Sequence, residues 1–324
     1  QPVLATTPAT TATQTPPPST PEASQPARGD TTEGGQGTPA STEAPTPPAT
    51  DATPSAATNA SESEGESRPD VTLSGYAEAY YLYNFTEPTD GYNAYRYYDT
   101  QHNHFALNNV VLDAAWSVGR VSGHVALQFG SITEYGIPFP RSVDEDLLWR
   151  LIQEVTFKWS PRVVPDHDLE FEAGLFVAPF TIEEMAVNQN WNWSVSNLFY
   201  AAPLQIMGAR ASYALTPSLT LRAGAFGGWE QVVRAESSSK SGLVQLEYDG
   251  GDRGYVTLNY MFGDNRPEGD PAGPYLRHTV DLYGEYQVSP RFALRANFFG
   301  GLQPNRDTDM TAWAGLALYA RVQP

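Results

Sequence analysis

The stretch that decides the fold spans residues 166–229. Residues 166–180 read DHDLEFEAGLFVAPF, residues 181–204 read TIEEMAVNQNWNWSVSNLFYAAPL, and residues 205–229 read QIMGARASYALTPSLTLRAGAFGGW. Large apolar side chains alternate with charged or small ones over 169–177, and similar alternation marks 204–215 and 219–229, which predicts three strands rather than helices. A strand, a long loop, a strand, a tight turn and a strand form the repeating unit of a transmembrane β-barrel.

The same alternation continues through the rest of the chain from Val71 to Val322 and predicts about twelve strands. An even number of antiparallel strands is typical of bacterial outer-membrane barrels. The predicted strands lie near residues 71–85, 105–117, 120–130, 149–160, 169–177, 204–215, 219–229, 242–248, 255–262, 277–288, 292–301 and 311–322.

The connections between these strands distinguish a barrel from a soluble sandwich. Outer-membrane barrels alternate short periplasmic turns with long external loops, whereas nothing forces a sandwich to do so. The short connections are 118–119, 160–166, 216–218, 249–252 and 289–291, and the long ones are 86–103, 131–148, 178–203, 230–239, 264–275 and 303–309. The alternation predicts an all-β fold, namely a transmembrane antiparallel up-and-down barrel. If the N-terminal tail starts in the periplasm, every short turn lies on the periplasmic side.

Aromatic side chains near the strand ends favour the same fold, because amphipathic rings suit the interface between lipid and water. The preference of aromatic residues for strands in general would also explain part of this pattern. The rings concerned are Tyr80, Tyr81, Tyr83, Trp116, Trp159, Tyr213, Trp229, Tyr260, Tyr286 and Tyr319.

Composition limits the function. The 324-residue chain has no cysteine, which excludes thiolate chemistry and disulfides, and its formal net charge of -18 disfavours nucleic acid as a partner. No apolar run is long enough for a membrane-spanning helix. Residues 1–70 are rich in Pro, Thr, Ala and Ser, which predicts a disordered tail, in the periplasm, ahead of a barrel in residues 71–324.

Several long strings resemble the β-barrel porins of the OmpL-like porin-2 family over residues 71–322. They are GYAEAYYLYNF, RYYDTQHNHFALNNVVLDAAW, GLFVAPFTIEEM, NWNWSVSNLFYAAPLQIMGARASYAL and SLTLRAGAFGGW. The resemblance implies a bacterial outer-membrane barrel through which small solutes diffuse, with no catalytic residues. Such barrels usually carry more strands after the position of Tyr319, so the chain either lacks the last strands or forms a smaller barrel.

The face opposite the apolar one is the predicted lumen. A charge on the lipid side costs about 2 to 4 kcal/mol near the midplane, so charged residues of the strands are expected inside. The predicted lining comprises Glu78, Asp113, Glu154, Glu170, Glu172, Glu247, Asp281 and Glu285 together with Lys158, Arg210, Arg222, Arg295 and Arg321. Acidic positions outnumber basic ones, which favours a mild cation preference; pairing of these charges across strands to hold the barrel in shape is the alternative.

The loop at residues 178–203 is the candidate constriction. It is too aromatic to stay in water, and folding into the lumen would bury its rings. Trp191 and Trp193 belong to this loop, and Glu183 and Glu184 are expected near the narrowest point. Packing of their rings inside the barrel is the favoured role of the two tryptophans. The alternative is that the rings stack on the faces of bound sugars.

The sequence therefore predicts a porin that carries small hydrophilic solutes or ions and is not an enzyme. The alternatives are a plugged barrel that anchors the envelope through its tail and, third, an outer-membrane enzyme, for which only His124 and His278 stand out. No cofactor and no metal site are expected, because His102 and His104 have no evident third ligand. The expected partners are the lipid bilayer and lipopolysaccharide, and the oligomeric state, a homo-oligomer included, stays open.

Overall fold

The computed structural model describes residues 69–135, 147–161, 169–232, 238–264, 266–306 and 310–323. Residues 1–68 lie outside this part of the chain, so the disordered tail stays a prediction. Parts of the connections near 131–148, 160–166, 230–239 and 303–309 also lie outside it.

The described chain is an antiparallel sheet with very little helix. Three short helices, α1 (Ile132–Tyr135), α2 (Leu147–Arg150) and α3 (Asn197–Ala201), and two 3-10 turns, Val187–Gln189 and Gly251–Arg253, lie in the connections. The strands are β1 (Asp70–Leu82), β2 (His104–Val118), β3 (Val121–Phe129), β4 (Ile152–Trp159), β5 (Leu169–Val177), β6 (Gln205–Thr216), β7 (Leu219–Phe226), β8 (Ser241–Asp249), β9 (Gly254–Gly263), β10 (Arg277–Ser289), β11 (Phe292–Gln303) and β12 (Thr311–Val322).

The topology is a simple meander, with the strands in the sheet in the order β1 to β12. Each strand pairs with the strand before it and the strand after it in the sequence, always antiparallel. Counted between the ends of successive strands, short and long connections alternate from β1 to β12. The predicted up-and-down arrangement of twelve strands is confirmed.

Two strands, β1 and β7, end three residues earlier than predicted. β1 stops at Leu82 because Asn84 starts a turn, in which its side-chain oxygen accepts the backbone N–H of Thr86 and its carbonyl accepts that of Glu87. β7 stops at Phe226, the last residue of this strand that pairs with both neighbouring strands, through Gly208 and Ser241.

The polarity of the sheet is inverted relative to a soluble protein. Large apolar side chains on one face are exposed, whereas the opposite face holds buried amides and acids. The exposed set includes Leu73, Leu112, Phe157, Met207, Leu258, Leu294, Leu316 and Leu318; the buried polar set includes Glu78, Asn109, Gln128, Gln205, Gln245, Asn259, Asp281 and Asn297. An apolar outer face and a polar inner face are the arrangement that a strand needs to cross a lipid bilayer.

A β-bulge turns one extra polar side chain inward. Glu78 pairs with Asn109 and Ala79 with Leu107, so Asn108 is the additional residue on β2. Asn108 and Asn109 are both fully buried, and the side-chain amide of Asn108 donates to Glu78 at 3.0 Å. The bulge thus concentrates amides beside a buried carboxylate.

The aromatic residues near the strand ends divide between the two faces. Tyr81, Trp159 and Tyr286 are exposed, as the interface interpretation expects. The prediction is wrong for Tyr80, which is buried on the face that carries Glu78, and for Trp229, which packs against buried aromatic residues. Among the described residues, no helix has the length and apolar character needed to cross a membrane.

We expect the substitution Leu258→Arg to impair folding into a bilayer. Leu258 is exposed in the middle of β9, where a charge facing lipid costs about 2 to 4 kcal/mol. Urea unfolding in lipid vesicles, followed by the electrophoretic shift between folded and unfolded forms, measures the cost. The control Leu258→Ala removes only apolar contact; equal stability of the two variants would contradict a lipid-facing outer surface.

Candidate functional site

The loop between β5 and β6, residues 178–204, folds back against the polar face of the sheet. The backbone N–H of Val187 donates to Glu78 of β1 at 2.7 Å. The backbone N–H groups of Thr181 and Ile182 donate to Asp281 of β10 and Asn297 of β11, at 2.9 and 3.2 Å.

These contacts show that the sheet is curved. β1 lies at one end of the strand order and β11 is the last strand but one, yet one loop bonds to both. Leu198 of the same loop lies directly beside Gly315 of β12. The sheet therefore wraps around loop 178–204, and the polar face is the inside of a barrel-like wall, although the described residues include no ladder between β1 and β12.

Asp281 is the main attachment point of the loop. Its Oδ2 accepts the N–H of Thr181 and, at 3.2 Å, the amide of Asn259, while its Oδ1 accepts the amide of Asn297 at 2.6 Å. Asn259 also donates to the carbonyl of Pro179 at 2.6 Å. Thr181 has a φ of 66°, a conformation that is rare for a β-branched residue, so these contacts hold the chain in a strained turn.

Two apolar clusters pack on the two sides of the loop. One contains Phe176, Ala178, Phe180, Ala202, Ile206, Phe226, Leu243, Met261 and Phe299; the other contains Tyr98, Ile132, Met185, Val187, Phe199 and Leu204. Burial of this many apolar side chains fixes the loop firmly to the wall. Loop 178–204 therefore occupies part of the interior nearest the long connections.

Glu183 and Glu184 are neighbours with different surroundings. Glu183 is buried and accepts the backbone N–H of Ser196 at 2.9 Å, so its carboxylate organises the loop itself. Glu184 is exposed to solvent, although the protein around its carboxyl raises its pKa, an effect that Arg295 opposes and Glu154 reinforces. A carboxylate that is enclosed by protein and yet wet belongs to a solvent-filled interior.

The second end of the loop is held by Glu230, which follows β7. Its Oε1 accepts the backbone N–H of Leu204 at 3.0 Å. Burial raises the pKa of Glu230 to about 7, whereas the hydrogen bond from Leu204 and the charge of Arg277 lower it. The attachment is therefore sensitive to pH near neutrality.

Charged side chains line the inner wall in pairs, in the halves of the strands nearest the short connections. Most of the predicted lining charges belong to this group of pairs, which we call the ion-pair belt. It contains Lys158 with Glu170 (3.4 Å), Arg210 with Glu172 (2.7 Å), Arg222 with Glu247 (2.7 Å) and Glu285 with Arg295 (2.8 Å) and Arg321 (3.8 Å).

Of the four remaining predicted charges, Glu78 and Asp281 bind the loop, and Asp113 and Glu154 lie beside a histidine. His124 of β3 contacts the carboxylate of Asp113 through Nε2 and that of Glu154, at 3.7 Å, through Nδ1. The structure thus brings together three residues from β2, β3 and β4. Here two carboxylates share one imidazole.

Trp191 and Trp193, the two predicted tryptophans, differ in their contacts. Two guanidinium groups lie against the ring of Trp191, with Arg295 Cζ at 4.4 Å and Arg321 Cζ at 4.5 Å from its centroid. Trp193 is partly exposed, and its ring lies 6.4 Å from that of Tyr80. Loop 178–204 therefore also reaches the ion-pair belt, through Trp191.

The sequence did not identify three residues that hold the loop. Asn259 and Asn297 bond to Asp281, and Glu230 bonds to Leu204. A signal was present for the two asparagines, because Asn is unfavourable in strands and both occupy positions on the polar face. Glu230 carried none, since its role depends on a backbone group far away in the sequence.

An antiparallel meander with an apolar outer face and a charged inner face defines a barrel of the outer-membrane type. The chain matches the family model described as "Putative beta-barrel porin-2, OmpL-like" over residues 70–324, and it belongs to this family of porins of the bacterial outer membrane. A solved structure described as "Asymmetric conductivity of engineered proteins" is similar at 12% identity and a TM-score of 0.33, over 78% of this chain and 100% of that one. No curated protein matches the chain.

We expect the substitution Asp281→Ala to destabilise the folded protein by about 3 kcal/mol. It removes the acceptor of three buried N–H donors, and a buried donor left unpaired costs roughly 1 to 3 kcal/mol. Urea unfolding in detergent micelles measures the difference. The control Glu247→Gln breaks a solvent-accessible ion pair and is expected to cost about 1 kcal/mol or less. Equal losses would show that Asp281 does not anchor the loop.

We expect a pH-dependent stability that the substitution Glu230→Gln removes. The folded-state pKa of Glu230, about 7, exceeds its ordinary value of 4.5. Between these two values the folded protein binds more protons than the unfolded chain does. The contribution of Glu230 to the free energy of unfolding therefore falls as the pH rises across this interval. The melting temperature of the wild type, relative to that of Glu230→Gln, should decrease over this window. The other titrating groups are the same in both proteins, so their effects cancel in the difference between the two melting temperatures. A difference that does not change with pH would refute the raised pKa of Glu230.

Proposed function

We propose that the chain is a porin for passive diffusion of small hydrophilic solutes or ions. The observation that carries this proposal is the partial solvent exposure of charges on the inner wall. The side chains of Lys158, Glu170, Arg222 and Glu247 are 30%, 35%, 26% and 37% exposed. Charged groups that face inward and remain wet support a water-filled passage in this half of the barrel.

The passage that we propose is lined by the ion-pair belt and narrowed by loop 178–204. Its mild cation preference would come from acids that have no basic partner in the belt, above all the exposed Glu184. The proposed lining and constriction residues are Glu78, Asp113, Glu154, Lys158, Glu170, Glu172, Glu183, Glu184, Trp191, Trp193, Arg210, Arg222, Glu247, Asp281, Glu285 and Arg295.

A plugged barrel that anchors the envelope is the second candidate. The two apolar clusters that flank loop 178–204 favour it, because a loop packed on both sides leaves little room for solutes. In both candidates we place the short turns and the N-terminal tail in the periplasm and the long loops toward lipopolysaccharide. Conductance separates the two.

We propose no catalytic reaction for the chain. His124 is occupied by Asp113 and Glu154, and His278 pairs with the hydroxyl of Tyr260 at 2.7 Å. These are the two histidines that the sequence suggested as candidates for catalysis. Each already has a partner, and they lie on different strands, β3 and β10. Membership of a porin family supports the same conclusion.

We expect stable single-channel steps from the full-length protein in a planar bilayer, with a reversal potential that favours cations under a KCl gradient. The substitution Glu184→Lys should shift this potential toward anions, because it reverses a charge in the passage. The control Glu268→Lys makes the same change in charge on an exposed external loop and should have little effect. A folded protein that never conducts would support the plugged anchor instead, and equal shifts in both variants would exclude Glu184 from the passage.

A further inference from the structure

The ion-pair belt is not evenly neutralised. Lys158, Arg210 and Arg222 each face one carboxylate, whereas Arg295 and Arg321 share the single carboxylate of Glu285. Among the described residues, no second acid is within ion-pair distance of either of these two arginines. At ion-pair distance, two arginines therefore share one carboxylate where β10, β11 and β12 meet; Glu184 of the loop interacts with Arg295 only over a longer distance.

Of these two arginines, Arg321 is the less firmly paired. Arg295 is held tightly, with its Nε 2.8 Å from Glu285 and its side chain 11% exposed. Arg321 is held loosely, with its Nη2 3.8 Å from the same carboxylate and its side chain 39% exposed. Its guanidinium can therefore accept a further anionic partner from the solvent.

Trp191 prepares Arg321 for such a partner. The guanidinium carbon lies 4.5 Å from the centroid of the indole ring. Contact with an aromatic face orders the guanidinium, while the N–H donors lie in the guanidinium plane, so those that are not directed at Glu285 stay available to a ligand. The side-chain entropy that ligand binding would otherwise cost is thus partly lost already.

An orphan donor lies in the same place. The indole Nε1–H of Trp191 is buried and has no acceptor among the described residues. A buried N–H without a partner is unfavourable, so an acceptor that reaches it would be stabilised. The indole N–H and the guanidinium of Arg321 are both donors that an oxygen acceptor can satisfy, and an anionic oxygen would in addition balance the charge of the guanidinium.

We propose that Arg321, Arg295 and Trp191 form a binding site for small oxyanions, that is, solutes with a carboxylate or phosphate group. Planar forked donors match the geometry of these groups, and chloride would gain less from them. The inference rests on the proposed porin function only for its physiological meaning. Within a cation-leaning passage, this site would retain oxyanions on the side of the short turns.

The test is a titration of the folded protein in detergent micelles with inorganic phosphate at constant ionic strength, followed by tryptophan fluorescence. We expect a saturable change in the wild type, loss of that change in Trp191→Phe, and at least about tenfold weaker binding in Arg321→Gln, because a hydrogen bond to a charged group is lost. Arg321→Lys keeps the charge without the fork and should bind with intermediate affinity. Acetate in place of phosphate shows whether carboxylates also bind.

The matched control is Arg253→Gln, which removes one positive charge from an exposed short turn and should titrate like the wild type. Absence of a saturable response in the wild type, or equal affinities of Arg321→Gln and the wild type, would overturn the proposal. The readout does not require conductance. Phosphate binding by a protein that forms no channel would therefore uphold the site and reject the porin, whereas a conducting protein without binding would do the reverse.

Discussion

Backbone hydrogen bonding inside the barrel is the constraint on which the interior depends. A loop that enters the space enclosed by a sheet brings N–H groups that the sheet cannot satisfy, since its own backbone groups are already paired. Inward side chains supply the acceptors instead: Glu78, Asp281 and Asn297 take the N–H groups of Val187, Thr181 and Ile182. The polar face of the wall is therefore a set of acceptors for the loop as well as a surface for water.

The wall could be predicted from the sequence because its information is local. Alternation with a period of two residues assigns each side chain to a face, and turn residues set the strand ends to within a few positions. In the structure, Leu258 is exposed and Asp281 is buried, on opposite faces of the sheet, as a period of two residues requires. The family resemblance, drawn from strings within residues 71–322, was confirmed by the match over residues 70–324.

The arrangement of the interior could not be predicted in this way. The sequence indicated that loop 178–203 would fold into the lumen to bury its rings, but not which side chains of the wall it would contact. Its partners, Asn259, Asn297 and Glu230, are far away in the sequence and contact it only because the sheet curves. Trp229 illustrates the same limit, since its position after β7 suggested a lipid interface while the loop gives it an apolar environment inside.

The meander also determines the order in which the protein can assemble. Neighbouring strands in the sheet are neighbours in the sequence, so each hairpin closes a modest loop of chain. The contacts of loop 178–204 instead join residues that are 109 positions apart at Val187 and Glu78 and 115 apart at Ile182 and Asn297. We infer that the wall forms first and the loop docks last, so that the newly inserted barrel passes through a wider and less occupied form before it reaches the structure described above.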